Sequence, residues 1–413
     1  MKVAVATPGT GVFIQETALA YCEQDLLDTY YTSFVANLDV PWYRSLVNTR
    51  VGRQLSRREI APVLLPYTRT RPLPELLRTF SSRFLTETFT DQVWEIAEKS
   101  FDRWVASKLH AGIDVLHCYE HCSLAMMERA KQLGIFIVYE QPSQHHSYLT
   151  PVIKAQLELF PQLANDVTQI QVGSKAAARN ARRDAELALA DLVLCNSSFT
   201  RRTLLATGIA ASRICVVPLG FPAPVAALRR PTTKLRFLYA GTSSLRKGVH
   251  LLLQTWRESM AGRSDVELWL VGKFDLARTC LVDLPDNVHL QDSIPRSELL
   301  AGFCDAEVLV LPTLADGFGM VISEAMSRGL CVMCTDNSAG PDIITDGHDG
   351  VLFKSGDIES LRTTLLYWSA RREQLREIGR RAMTTAAGYQ WQDYRQRLVS
   401  TVSQAWEQSK HAD

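Results

Sequence analysis

Hydrophobic positions along this chain fall into short apolar runs, separated by segments in which apolar residues recur at helical spacing. Runs of this length without polar alternation are typical of parallel strands buried on both faces. They lie at residues 2–7, 113–118, 135–139, 192–196 and 214–218, and again at residues 235–240, 266–271, 288–290, 307–311 and 330–334. A run of strands alternating with helices predicts an α/β protein, here two doubly wound domains with parallel sheets.

The segments between these runs carry the predicted helices. They lie at residues 13–27, 91–110, 173–189, 199–207, 249–260, 298–303, 323–327, 358–369 and 372–386, and a closing amphipathic helix lies at residues 391–406. A side-chain hydroxyl can accept the first free amides of a helix, so Ser197 or Ser198 is expected to cap the helix that begins at residue 199.

The least regular stretch of the chain is residues 219–234, which contains three prolines and no consistent period. We place the interdomain linker there. The predicted organisation is a first domain at residues 1–218, a second domain at residues 219–388, and a terminal helix at residues 389–413 that packs back toward the first domain.

Residues 315–329 contain the most informative motif of the chain, ADGFGMVISEAMSRG, directly after a predicted strand. Gly317 and Gly319 permit a sharp turn, and the first amides of the following helix are free to bind an anion. Asp316 lies on the turn and Glu324 about one helical turn into the helix, so both carboxylates can face one ligand. A phosphate at the amides and hydroxyls at the carboxylates indicate a nucleotide diphosphate sugar.

Two further glycine turns follow predicted first strands of the two domains. In the second domain Gly241 opens a turn that ends with Arg246 and Lys247 before a helix, where cations are unfavourable unless an anion is bound. In the first domain Thr10 and Gly11 form a weaker signal, since a single Gly-x-Gly also occurs in turns without a ligand.

Polar residues follow two strands of the first domain, at the strand ends where open parallel sheets bind ligands. Glu120 and His121 follow one strand, and residues 140–146 with His145 and His146 follow the next. Adjacent side chains usually point apart, so the two histidines alone do not predict a metal site, and none is predicted.

Residues 41–85 form a basic insertion with nine arginines against Glu59 and Glu75, interleaved with aromatic and aliphatic residues. Such a face can adsorb to anionic lipid headgroups, and an ordinary solvated arginine-rich surface is an equally good interpretation. Nucleic-acid binding is less favoured because no recognised motif accompanies the arginines.

Bulk composition narrows the picture without naming a function. The chain has 413 residues with 46% hydrophobic and 22% charged residues, which is ordinary for a soluble globular protein of two domains, and a formal net charge of +1. Nine scattered cysteines favour reduced thiols in a cytosolic protein. The amino terminus reads as a first strand and not as a signal peptide, and no apolar run is long enough for a transmembrane helix.

The motifs resemble those of the family 4 glycosyltransferases, retaining enzymes of the GT-B fold that use nucleotide sugars. The matching stretches are residues 191–198, 214–220, 241–248, 311–329 and 340–353. The resemblance covers nearly all of residues 185–390 and more loosely the first half. It implies that residues 1–218 are the acceptor-side domain and residues 219–388 the nucleotide-sugar-binding domain. It implies that the second carboxylate of the motif, here Glu324, binds the ribose hydroxyls, and that the first, here the shorter Asp316, approaches the donor sugar.

The resemblance also assigns the diphosphate to the cations Arg246 and Lys247 and to a run of backbone groups. Those backbone groups belong to Gly317, Phe318, Gly319, Met320 and Val321. Many family members carry an additional arginine at the position of Thr242, and a histidine at the position of Tyr119. These departures leave the acceptor-side group open among His121, Glu120, His145 and His146.

The resemblance implies a metal-independent transferase without a cofactor, with a phosphate oxygen as base and no enzymic nucleophile. Asp316 as nucleophile is a minor alternative. The donor is expected to be a UDP- or GDP-sugar, and the acceptor a glycan or lipid-linked hydroxyl at the cytoplasmic membrane surface. Two other hypotheses are a GT-B sugar-nucleotide epimerase and a non-catalytic scaffold subunit.

Overall fold

The computed structural model describes residues 1–36, 44–45, 55, 58–75, 77, 87–225 and 232–411. Its first sheet has seven parallel strands in the order β3-β2-β1-β4-β5-β6-β7. The strands are β1 (Val3–Ala6), β2 (Leu27–Thr32), β3 (Thr68–Thr70), β4 (Val115–Tyr119), β5 (Phe136–Gln141), β6 (Leu192–Cys195) and β7 (Ile214–Val216). The order reverses between β1 and β4, as in doubly wound domains.

The helices of the first half connect these strands. They are α1 (Val12–Cys22), α2 (Glu87–Ala106), α3 (Leu124–Gln132), α4 (His146–Leu159), α5 (Asp166–Val172), α6 (Ser174–Leu189) and α7 (Ser198–Leu205). Ser197 caps α7 through its hydroxyl, which accepts from the amide of Thr200, so one of the two predicted caps is confirmed.

The second sheet has six parallel strands in the order β10-β9-β8-β11-β12-β13. The strands are β8 (Leu235–Ala240), β9 (Val266–Val271), β10 (Val288–Gln291), β11 (Val308–Leu311), β12 (Cys331–Thr335) and β13 (Val351–Phe353). The order reverses again, between β8 and β11, and the two turns that the sequence marks with glycines lie at the ends of these two strands. This switch point is where such sheets bind ligands.

Within residues 232–411, seven α-helices accompany the second sheet. They are α8 (Val249–Ser259), α9 (Arg296–Gly302), α10 (Met320–Met326), α11 (Gly340–Ile343), α12 (Ile358–Ser369), α13 (Arg372–Ala387) and α14 (Trp391–Lys410). The predicted architecture, two doubly wound domains with parallel sheets, is confirmed, because every strand predicted from an apolar run is present within about two residues.

Two parts of the prediction were wrong. The helix expected at residues 13–27 ends at Cys22, because the chain turns at Asp25, whose φ is +53°, and enters β2 at Leu27. The strands β2, β3 and β13 and the helices α3, α4, α5 and α11 were not predicted, since β2 (LDTYYT) mixes polar and aromatic residues and the others are short or irregular in pattern.

The terminal helix α14 packs against α1 of the first domain. The hydroxyls of Thr17 and Tyr394 are 2.8 Å apart in a buried position, and Arg395 pairs with Glu16 and Glu23 at 2.5 and 2.8 Å. The chain leaves the first domain near Phe221 and returns to it near Tyr389, just before α14. Phe221 donates its amide to the carbonyl of Tyr389 at 2.6 Å, and the two rings stack. The chain therefore crosses between the domains at two adjacent places.

Most of the basic insertion at residues 41–85, including the arginines at 50, 53, 57, 78 and 83, lies outside the described residues, so its membrane contact stays a prediction. Within the described part, Val63, Leu73 and Leu77 are exposed apolar side chains. No helix in the described ranges combines the length and apolarity needed to cross a membrane.

His250 forms a contact between the two domains. Its Nε2 lies 2.8 Å from Oε1 of Gln156 on α4, and its ring meets Phe160 edge-on at 5.2 Å between centroids. Burial lowers the pKa of His250 from 6.5 to about 4, because the charged imidazolium would lose its hydration there. The neutral ring therefore belongs to the native contact.

This contact predicts a loss of stability in acid. Between pH 6.5 and about 4 the unfolded chain protonates His250 and the folded chain does not, so stability falls as pH falls through that window. One pKa unit is about 1.4 kcal/mol, which makes the full effect about 3 kcal/mol. Urea unfolding at pH 7 and pH 4.5 should show a smaller pH dependence in His250→Asn than in wild type. The exposed control His348→Asn should behave as wild type, and an unchanged pH dependence in His250→Asn would contradict the assignment.

Candidate functional site

The loop between β11 and α10 carries the motif at residues 315–329. Gly319 has φ +76°, the left-handed region that favours glycine, and directly precedes the seven-residue helix α10. The amide of Asp316 donates to the carbonyl of Asn337 at 2.9 Å, and the carbonyl of Phe318 accepts from the amide of Ala339 at 3.2 Å. These two hydrogen bonds hold the motif loop against the loop that follows β12, at the switch point of the second sheet.

Gly317 brings this loop into contact with the first domain. A Cβ at this position would lie 1.8 Å from the carbonyl oxygen of Pro142, so only glycine fits. The hydroxyl of Ser197, at the start of α7, donates to the carbonyl of Gly317 from the other side. The motif loop is thus in direct backbone contact with the loop that follows β5.

Arg246 and Lys247 meet Asp316 in a partly buried cluster. Lys247 forms an ion pair with one carboxylate oxygen of Asp316, and Nη1 of Arg246 lies 3.7 Å from the other. The same guanidinium nitrogen donates to the carbonyl of Ala315 at 2.8 Å. The structure therefore brings together three of the residues that the sequence assigned to the donor phosphates and sugar.

The charges of the cluster shift its pKa values. Burial raises the pKa of the Asp316 carboxyl, but Lys247 and Arg246 outweigh it and hold the pKa below its usual range. Burial also lowers the pKa of the Lys247 ammonium in spite of the neighbouring carboxylate. An anionic ligand here would meet two cations that share one carboxylate, that of Asp316.

Glu324 lies on α10 and is almost fully buried. Its Oε1 accepts from Nε of Arg296, at the start of α9, at 2.6 Å. The two carboxylates of the motif therefore have separate partners, Lys247 for Asp316 and Arg296 for Glu324. Arg296 was not singled out from the sequence, because its contact with Glu324 spans 28 residues and no short motif contains it.

A cavity of about 640 Å³ lies entirely within the second domain. Its walls come from the loops after β8, β9 and β10, among them Ser243, Lys273 and Asp292. Ser243 belongs to the 241–248 turn that the sequence marks. Lys273 and Asp292 were not predicted, although their position after β9 and β10 was a signal that could have found them. Gly241, which was marked, lies at the end of β8 with φ +142°.

A second cavity, of about 260 Å³, lies between the domains and joins the cation cluster to the first domain. Arg246 lines it from one side, and Glu120, His146, Arg179 and Arg183 line it from the other. Glu120 accepts from the hydroxyl of Ser143 at 3.1 Å and pairs with Arg183 at 3.3 Å. Glu120 and His146 are therefore the acceptor-side candidates that the structure brings near Arg246.

His121 lies elsewhere. Its Nδ1 is 2.8 Å from Glu98, its amide donates to Glu186 at 2.7 Å, and it lines a separate cavity with Arg179 and Arg182. Its φ is +83°, which directs its side chain away from the line of β4. The sequence pattern could not show that Glu120 lines the interdomain cavity and His121 a different one. The difference goes with the positive φ of His121, which the pattern of adjacent polar residues does not predict.

Tyr119, which takes the place of the histidine common in the resembling family, is buried at the end of β4. His117 on the same strand is also buried, with Tyr21 and Glu140 at 2.9 Å from its two ring nitrogens. Thr10 and Gly11 lie at the start of α1, where the carbonyl of Thr10 accepts from Gln15 at 2.9 Å and Gly11 has φ −60°, open to any residue.

Comparison with protein families identifies the second domain. Residues 224–385 match the model of the family "Glycosyl transferases group 1". A mannosyltransferase of Mycolicibacterium hassiacum, described as MMP alpha-(1->4)-mannosyltransferase, is 26% identical over 52% of this chain and 54% of its own length. The O-antigen chain mannosyltransferase B of Escherichia coli is 27% identical over 38% of this chain and 42% of its own. The chain thus spans about half the length of these curated relatives.

Solved structures match over the whole chain. Sucrose-phosphate synthase of Thermosynechococcus elongatus covers 100% of both chains with a TM-score of 0.61 and 20% identity. HepE of Anabaena, in complex with UDP and glucose, covers 98% of this chain and 100% of its own with a TM-score of 0.60 and 14% identity. At these identities the likeness shows the fold, which is GT-B.

Proposed function

We propose that this chain, whose residues 224–385 match the glycosyl transferases group 1 and whose fold is GT-B, transfers a sugar from a nucleotide diphosphate sugar to an acceptor hydroxyl with retention of configuration. One observation carries this proposal. Arg246 and Lys247 converge on Asp316 at the edge of a cavity that lies between the domains. A cation pair at a domain boundary is suited to the diphosphate of a donor whose sugar points toward the other domain.

The donor would extend from the large cavity of the second domain to this cation pair. Glu324 is expected to accept the ribose hydroxyls, and the cavity of about 640 Å³ is large enough for a nucleoside. HepE of Anabaena, which shares the fold, holds UDP and UDP-glucose in its crystal structures. UDP is therefore the first base to test, and GDP the second.

The chemistry follows from where charge develops. As the bond between the anomeric carbon and the diphosphate breaks, negative charge grows on the phosphate, where Arg246 and Lys247 stabilise it. The acceptor oxygen bonds to the anomeric carbon on the face that the diphosphate leaves, and its proton passes to a phosphate oxygen. Asp316 is held by Lys247, so we assign it to the cluster and to donor-sugar contact and not to nucleophilic attack.

We propose that these cations and the backbone amides of the loop meet the charge of the diphosphate without a metal ion. The acceptor would enter through the interdomain cavity past Glu120 and His146. A glycan or lipid-linked hydroxyl is the proposed class, since curated relatives are described as mannosyltransferases for an O-antigen chain and for MMP.

Thermal unfolding with UDP, GDP, ADP and dTDP tests the donor site. One nucleotide at about 100 times its dissociation constant should stabilise the wild type by roughly 2.7 kcal/mol. Glu324→Gln keeps the size of the side chain, loses its charge and replaces one of its two acceptor oxygens by an NH2 donor. If its affinity falls 100-fold, the same concentration stabilises it by only about 0.4 kcal/mol.

Glu298→Gln, an exposed change on α9, is the matched control and should respond as wild type. An equal response of Glu324→Gln and wild type would overturn the ribose assignment. No response to any nucleotide would favour a non-catalytic scaffold subunit. A nucleotide response with conversion of the donor sugar in the absence of acceptor would favour an epimerase.

A further inference from the structure

Three side chains of the first domain converge in a way that the sugar-transfer proposal does not use. His145 lies in the loop after β5 and His146 is the first residue of α4. Nε2 of both rings approaches the same oxygen of Asp184 on α6, at 3.1 Å for His145 and 2.6 Å for His146. The two ring centroids are only 4.1 Å apart.

Adjacent histidines converge here because they lie at a junction of backbone conformations. His145 is extended, with φ −63° and ψ 144°, and His146 is helical. The alternation that sends neighbouring side chains apart in a strand therefore does not apply. This is why no metal site was predicted from the sequence, although the structure forms a compact group of three donors.

The exposure of the three side chains and the hydrogen bonds of His145 bear on whether a metal ion can bind. The side chains of His145 and His146 are 5% and 15% exposed, whereas that of Asp184 is 54% exposed, so an ion can reach the group from solvent through the carboxylate side. Nδ1 of His145 is 2.8 Å from the hydroxyl of Ser147. The same Nδ1 also accepts the backbone amide of Ser147 at 3.2 Å, as the cap of α4. A metal bound to Nε2 therefore requires the proton to lie on Nδ1, which would exchange the amide for a hydrogen bond donated to the Ser147 hydroxyl.

We propose that His145, His146 and Asp184 bind a divalent cation of the Zn²⁺ type. Two imidazoles and one carboxylate form a three-ligand set that leaves one position for water or substrate, and imidazole selects Zn²⁺ and similar transition metals over Mg²⁺ and Ca²⁺. Ligand atoms about 2.0–2.2 Å from a tetrahedral ion lie about 3.3 Å apart, so the observed separations require only small movements.

The ion would join α4 to α6 beside the interdomain cavity. His146 lines that cavity, and Arg183, the residue before Asp184, lines it as well. The three ligands belong to the first domain, and the site borders the proposed transfer site through His146, which lines the same cavity as Arg246. Arg246 and Lys247 are not among the ligands, so the metal site does not rest on the proposed sugar transfer. Its consequence is a cavity wall whose rigidity depends on a bound metal.

Calorimetric titration of the full chain, free of affinity tags and treated with chelator, tests the site with Zn²⁺ alone. We expect one ion per chain, at least tenfold weaker binding in both His146→Gln and Asp184→Asn, and wild-type binding in the exposed control His348→Gln. Asp184 is half exposed, so its variant should fold even if His146→Gln does not. Co²⁺ bound in the same place should give an absorption spectrum without thiolate charge transfer, which distinguishes this group from the cysteines.

Two results would overturn the site. One is the absence of Zn²⁺ binding by wild type, which would leave the group as a hydrogen-bonded histidine–aspartate cluster. The other is equal Zn²⁺ affinity in wild type and Asp184→Asn, which would place the ion elsewhere. Neither result bears on the nucleotide titration, so the metal site and the sugar-transfer proposal can fail separately.

Discussion

Replacing Lys247 by methionine is expected to lower kcat for sugar transfer by about 10²–10³-fold, the effect of removing one preorganised donor from a developing oxyanion. The methionine fills the same space but carries no charge to stabilise the departing diphosphate. Arg246 remains, 3.7 Å from Asp316, so the loss should be large without being complete. Steady-state kinetics would measure it, with a sugar donor that carries the nucleotide identified by the thermal unfolding experiment.

The separation of kcat from KM makes this test specific. A charge that acts mainly in the transition state lowers kcat more than it raises the KM of the donor. Lys354→Met, a change of an exposed lysine in the same domain, should leave both constants unchanged. An unaltered kcat in Lys247→Met would remove Lys247 from the catalytic assignment and leave it as the structural partner of Asp316.

Gly317→Ala is expected to abolish most of the transfer activity with a much smaller loss of nucleotide affinity. The added methyl group would lie 1.8 Å from the carbonyl of Pro142, so the motif loop and the first domain must separate. A displacement of about 1 Å between reacting groups can cost roughly 100-fold in rate. Glu324 and the large cavity belong to the second domain alone and keep their place, so nucleotide affinity should fall far less than the rate, by no more than the contribution of the displaced loop amides.

Gly262→Ala is the matched control, because nothing lies within 4 Å of a Cβ at that position. Kinetics and nucleotide calorimetry on both variants would separate the two effects. If Gly317→Ala transfers sugar at the wild-type rate, the contact between the motif loop and the first domain is not needed for catalysis. If it loses nucleotide affinity as strongly as rate, the change has disrupted the second domain itself.

Periodicity predicted the strands well because a buried parallel strand has a simple signature. Apolar runs such as residues 266–271 and 307–311 have no alternative role in a chain of this kind. The strand β2 was missed for the opposite reason. Its sequence, LDTYYT, carries polar groups, and its hydroxyls bind the loop after β1, as when Thr32 donates to the carbonyl of Gly9 at 3.1 Å. Its polar pattern reflects contacts that only the tertiary structure reveals.

The candidate site divides in the same way. Four residues of the site could be found from the sequence, because each belongs to a local strand–turn–helix pattern that indicates ligand binding. They are Arg246, Lys247, Asp316 and Glu324. Their pairing could not, because Lys247 and Asp316 are 69 residues apart and the contact depends on β8 and β11 lying side by side. The contact of Arg296 with Glu324 has no local signature, and neither does the convergence of His145, His146 and Asp184. Only the fold shows these contacts.

The two adjacent crossings between the domains have a mechanical consequence. Phe221 on the outward crossing and Tyr389 on the return crossing are bonded and stacked, so the segments form one two-stranded hinge. A single tether would allow the halves to twist about it as well as to bend. Two tethers side by side permit bending about the axis that joins them and resist torsion. Opening and closing would then return the face of Arg246 to the face of Glu120 in the same register on every turnover.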